Sequence, residues 1–281
     1  MLVKRSGGRM VDMTDMLKRH PLLAYVVVAY GWTWLTILPL LLQKRGLADF
    51  GLPDAWEAIG AFGPFIAAWL VLRYTEGQGG LAAFWQGLQG WRLGAAGWAL
   101  TLLSPLVFLA LAAGLITVQT GTPPSLQALA SGQLGSLHEV LDLLLVAALL
   151  QALGEEPGWR GYLLPRLLKR LRVLPATLLL FPVWWLWHLP FFLSRPAFGL
   201  AQFFGFGFGI LCASIWLSFL RERTHSILAA VVWHAVLNIT RGIALGFSTG
   251  MFLAYGMVVA AGAAAIVIWW LVRGSRPGSA P

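Results

Sequence analysis

Eight stretches of this chain are apolar over the length needed to cross a bilayer, and that count decides what it folds into. A spanning helix takes about 17–25 residues, and suitable runs lie at 22–42, 55–72, 94–118, 138–156, 174–193, 199–220, 226–247 and 251–272. Of the 281 residues 58% are hydrophobic and 11% charged, against about 45–50% apolar and about 25% charged in soluble domains. One soluble core could not bury this much apolar surface, so much of it must face lipid. The chain therefore reads as an all-α polytopic membrane protein, a single transmembrane domain over 1–281. Lys4, Arg5, Arg9, Lys18 and Arg19 precede the first run. That run is longer than a signal-peptide core and has no small-x-small cleavage pattern, so it reads as a retained span behind an N-terminal tail over 1–20.

Three segments between or within the runs are distinctive. The fourth run opens on His138, Glu139 and Asp142 and closes on two further carboxylates. Residues 77–92, Gly-rich and amphipathic with Trp85, Trp91 and Arg92, fit a segment lying in the interface. Residues 120–137, with Pro123 and Pro124, read as a loop.

The net charge of +9 has a sided distribution. With the N-terminus in the cytoplasm, the tail cations, Arg73, Arg92, Arg160, Arg166, Lys169, Arg170, Arg172, Arg221, Arg223, Arg273 and Arg276 fall on or near that side. Lys44, Arg45, Arg195 and Arg241 fall toward the other. Cytoplasmic loops are the ones enriched in Lys and Arg. Both termini are accordingly expected in the cytoplasm, with 120–137 opposite, in the cell membrane of a bacterium. Cations spread over loops, and not gathered on a groove-reading element, also argue against nucleic acid as a partner and leave membrane lipid as the surrounding one. The single Cys212 rules out an internal disulfide framework and reads as a small packed residue.

Ionisable residues at membrane depth are costly enough that function is their default explanation, and here they fall into three short segments. The first is Gly154-Glu155-Glu156-Pro157-Gly158-Trp159-Arg160. Neighbouring carboxylates on a helix point about 100° apart and cannot share one task. Arg160, four residues after Glu156, can pair with it and leave Glu155 to face elsewhere, while Pro157 should loosen the hydrogen-bond ladder. The second segment carries His188 among Trp184, Trp185 and Trp187; the third carries His234 and Asn238, four apart on one helix face. Alone, either histidine is most simply a packed core residue, and the His234–Asn238 pair an interhelical hydrogen bond. Together with a carboxylate they suffice to hydrolyse an amide. A carboxylate and an imidazole can deprotonate water, and a second imidazole and a carboxamide can stabilise the oxyanion. A serine or cysteine nucleophile is poorly supported, since no Gly-x-Ser-x-Gly occurs. No His-Glu-x-x-His occurs either, but Glu155, His188 and His234 could still hold zinc with an open fourth position.

Glu155-Glu156 with Arg160, Trp184 with His188, and His234 with Asn238 resemble the three ordered motifs of the CPBP family, the CAAX proteases and bacteriocin-processing enzymes: Glu-Glu-x-x-x-Arg, Phe-x-x-x-His and His-x-x-x-Asn. The motif-bearing core lies at about 138–247, and Trp184 stands where the family has Phe. The resemblance implies eight helices around a membrane-embedded active-site cavity, and endopeptidase activity on a peptide or protein substrate, lipidated or not. It implies that Glu155 and His188 activate water, that His234 and Asn238 stabilise the oxyanion, and that Glu156 and Arg160 shape the site. The family is often labelled metallopeptidase. No cofactor is favoured here, because Asn is a poor ligand but a good oxyanion donor, and zinc is the alternative. Two other classes compete: a transporter, whose ion paths also need buried charge, and a scaffold packed through Gly205-Phe206-Gly207-Phe208-Gly209.

Overall fold

The computed structural model describes residues 17–125, 127, 136–195 and 198–273. Its spans are α1 (Pro21–Lys44), α2 (Asp54–Thr75), α4 (Gly94–Thr120), α5 (Leu137–Leu168), α6 (Val173–Leu193), α7 (Leu200–Thr224), α8 (Ile227–Phe247) and α9 (Thr249–Arg273), eight helices long and apolar enough to cross a membrane. No strand occurs among the described residues. The segment expected at the interface forms the short helix α3 (Gly77–Leu88), which buries Leu81 and Phe84 and exposes Trp85. Half of the loop expected over 120–137, residues 126 and 128–135, lies outside the described residues.

Helix ends follow local chemistry. Ser226 caps α8, its hydroxyl accepting from the Ala229 N–H at 3.1 Å. At the start of α5, Ser136 and Glu139 form a reciprocal capping box. Gly121 closes α4 at φ 74°, a left-handed conformation that glycine adopts without a Cβ clash.

The fourth span departs from expectation in length. The apolar run suggested 138–156, but α5 continues through Pro157 for 32 residues. Proline removes one backbone donor, and spanning helices accommodate that by local rewinding. Here two π-helical stretches, Asp142–Leu150 and Trp159–Leu163, flank the regular Gln151–Gly158 turns. A helix of this length runs to roughly 48 Å, well beyond a hydrocarbon core of about 30 Å. Its C-terminal end accordingly carries Arg166 to a surface ion pair with Glu76. At the other end of the bundle, Lys44 pairs with Asp54 and Arg195 with Glu57.

Small residues set how closely the core helices approach. A Cβ on Gly154 would sit 2.5 Å from the Ala61 carbonyl oxygen, and one on Gly158 would collide with the Pro64 carbonyl. The spacing is a small-xxx-small pair, which in lipid lets helix backbones touch. It docks α5 on α2 at the level of the two glutamates. Helix α1 is tied in by polar contacts: Thr33 Oγ1 donates to the Gly60 carbonyl at 2.7 Å, and Trp187 Nε1 donates to Thr33 Oγ1 at 2.9 Å. Of the three glycines in 205–209, only Gly207 meets a neighbour, the Trp185 indole, while Gly205 and Gly209 face open space. The motif serves internal packing at one position. Cys212 is buried in α7, as expected.

Candidate active site

The turns of α5 around Pro157 point two carboxylates in different directions. Glu155 and Glu156 are 3% and 0% exposed, so each needs partners in the interior. Glu156 finds them on both sides. Its Oε1 accepts from Arg160 Nη1 at 3.0 Å, the i,i+4 pair expected from sequence, and lies 2.7 Å from His234 Nδ1 on α8. A carboxylate at this position accepts from Nδ1–H, which keeps the proton on Nδ1 and leaves Nε2 pointing away from Glu156. A charged ring would donate from Nε2 to an oxyanion, and a neutral one would accept.

Glu155 faces α6. Its Oε2 accepts from Trp184 Nε1 at 2.6 Å and stands 3.8 Å from His188 Nε2. The first distance is a hydrogen bond and the second is too long for one. His188 is fixed from behind, because its Nδ1 lies 2.8 Å from the Trp184 carbonyl, an acceptor that requires the proton on Nδ1 and leaves Nε2 directed at Glu155. The helix helps to aim it: His188 ends the regular turns of α6, and the chain restarts at Leu189 with Pro190 in the first turn.

Trp184 joins the two halves. Its indole lies over the Arg160 guanidinium at 4.1 Å, and its ring centre is 5.7 Å from those of both His188 and His234. A phenyl ring could fill this space and stack on the cation, but it has no N–H to offer Glu155. Sequence reading noted the aromatic character of position 184 and missed the donor. The signal available was the indole itself, since a buried Trp N–H usually finds a partner.

All six residues singled out from sequence come from α5, α6 and α8 and lie at the centre of the bundle. Asn238, one turn beyond His234, is 8% exposed on the same face of α8. Glu155 and His188 face one another, as do Glu156 and His234. The zinc alternative needed Glu155, His188 and His234 to converge as ligands. Among the described residues no three His, Cys, Asp or Glu side chains are arranged to hold one ion; the Glu156 carboxylate at His234 Nδ1 leaves Nε2 as the nitrogen that an oxyanion or a metal would meet.

A family model described as type II CAAX prenyl endopeptidase, Rce1-like, matches residues 138–240. This motif-bearing segment belongs to the CAAX-protease family. The CAAX-protease segment opens in α5 and closes in α8, and so contains each of the six residues and Trp184. It bears out the family resemblance drawn from the three motifs, and it stops short of α9. No curated protein matches the chain significantly.

Proposed function

We propose that the protein is a metal-free intramembrane endopeptidase that hydrolyses a peptide bond near the C-terminus of a membrane-bound, prenylated peptide. The observation that carries this reading is the facing of Glu155 Oε2 and His188 Nε2 across 3.8 Å in a buried site. That gap suits a water hydrogen-bonded to both groups better than a direct bond. The CAAX-protease segment supports the substrate class: a CAAX terminus is a prenylated cysteine followed by three residues.

In this mechanism Glu155 takes a proton from water as the oxygen adds to the scissile carbonyl carbon, with His188 Nε2 orienting the water. The carbonyl oxygen becomes an oxyanion held by Nε2–H of His234 in its doubly protonated form and by the Asn238 carboxamide N–H. Glu156 fixes His234 through Nδ1, and Arg160 keeps Glu156 in place. The proton on Glu155 then passes to the peptide nitrogen, the C–N bond breaks, and the products are a new carboxylate and an amine.

The direct test uses purified protein in lipid nanodiscs, a farnesylated peptide ending in cysteine and three aliphatic residues, and mass spectrometry of the products. Cleavage after the cysteine is expected, and it should survive a divalent-cation chelator. No cleavage of the farnesylated or the unmodified peptide would overturn the peptidase reading. One metal per chain, lost in His188→Ala together with activity, would overturn the metal-free mechanism.

Trp184→Phe isolates the indole donor, because it keeps a ring over Arg160. Turnover is expected to fall about 10-fold, the scale of a lost hydrogen bond to a charged group, with KM and melting temperature close to wild type. A matching loss of thermal stability would make Trp184 a packing residue only.

A further inference from the structure

Arg241 is a cation of α8 that the site described above does not use. It lies seven residues after His234 and three after Asn238 on α8. At 3.6 residues per turn the three positions share one helix face, and Arg241 stands about 10 Å further along the axis than His234. Charged residues inside spanning helices face the bundle interior or a water-filled cavity and pair with a counter-group. Other arginines of this chain do pair: Arg160 with Glu156, Arg166 with Glu76, Arg195 with Glu57. Arg241 has no hydrogen bond or ion pair among the described residues. Its side chain is exposed and springs from the helix face that carries His234 and Asn238. An exposed cation on the face that carries two site residues can meet a ligand bound there.

We propose that Arg241 anchors the free carboxylate at the C-terminus of the peptide substrate. The proposal rests on the peptidase reading and adds to it what fixes the cleavage position. A guanidinium offers a planar pair of N–H donors that match a carboxylate, and such paired charge-assisted hydrogen bonds are stronger than neutral ones. With the scissile carbonyl held at His234 and Asn238, the leaving peptide extends along α8 toward Arg241. His234 and Asn238 stand about 10 Å and about 5 Å from Arg241 along the axis, so an extended leaving peptide of up to three residues, at about 3.3–3.6 Å each, bridges them. A substrate without a free end within that distance loses its anchor.

The experiment compares the farnesylated peptide as free acid and as C-terminal amide, with wild type, Arg241→Gln and Arg241→Lys in nanodiscs. Wild type should cut the acid about 10-fold to 100-fold more efficiently than the amide, the scale of a hydrogen-bonded charge pair. Arg241→Gln should cut both at the low amide rate, and Arg241→Lys should keep part of the preference. Equal cleavage of acid and amide by wild type would overturn the anchor, as would a full preference retained by Arg241→Gln; either result would leave Arg241 as a cation reaching for the membrane surface. Cleavage and anchoring fail separately. If wild type cuts neither peptide, fluorescence anisotropy of the labelled acid and amide on the wild-type protein still reads the anchor, and equal or absent binding overturns it.

Discussion

Glu155→Gln is expected to lower turnover by about 100-fold to 10,000-fold, the range for removing a general base, while the protein folds and binds peptide as before. The change is nearly isosteric. A glutamine side-chain carbonyl can still accept from Trp184 Nε1, which now donates to Oε2 at 2.6 Å, so the indole, the Arg160 guanidinium beneath it and both imidazoles keep their places. What disappears is the group that accepts the proton of water. His188 cannot substitute for it, since its Nδ1 is committed to the Trp184 carbonyl and its Nε2 alone would have to both orient and deprotonate the water. Single-turnover kinetics on the farnesylated peptide, with peptide affinity and melting temperature measured alongside, give the result. Hydrolysis at the wild-type rate would remove Glu155 from the mechanism. Loss of binding and activity together would recast it as a structural carboxylate. Profiling of membrane peptides in cells carrying wild type or Glu155→Gln would then identify the natural substrate.

The eight spans were legible because hydropathy over 17–25 residues reports the solvent of a helix directly, and most observed ends fall within a few residues of the expected ones. The exception, α5, shows what that signal omits. Its apolar run stops at the glutamates, but its polar continuation is buried by neighbouring helices and by internal pairing, so the helix persists to Leu168. The separation of Glu155 from Glu156 followed from helix geometry, as did the Glu156–Arg160 pair. The contact between Glu156 and His234 did not, since it depends on how α5 and α8 are rotated against each other, and π turns before the motif and at its Arg160 end change that rotation by amounts no periodicity encodes. The docking of α5 on α2 was written in sequence as Gly154 and Gly158, four apart, but the same residues flank the carboxylates and were read for charge. The Gly205–Gly209 run looked like a better packing motif, and only its middle glycine packs.

Arg160→Ala tests the interior charge network and is expected to cost about 3–5 kcal/mol of stability, the range for removing one partner of a buried ion pair. Arg160 and Glu156 are each 0% exposed and 3.0 Å apart. Alanine would leave the Glu156 carboxylate in the interior with His234 Nδ1 as its remaining polar contact, and would open the space beneath the Trp184 ring. The penalty belongs to the orphaned charge more than to the lost attraction, which makes a second variant informative. In Glu156→Gln/Arg160→Met both charges are gone and the volume is roughly kept, so much of the stability should return. Activity should not, because a glutamine carbonyl can still accept from His234 Nδ1–H but lacks the negative charge that stabilises a ring donating from Nε2 to the oxyanion. Thermal unfolding in detergent and peptide cleavage, measured on both variants, separate the two roles. If Arg160→Ala melts with wild type, the ion pair does not hold the interior together. A double variant that regains turnover along with stability would show that Glu156 does nothing for His234 beyond filling space.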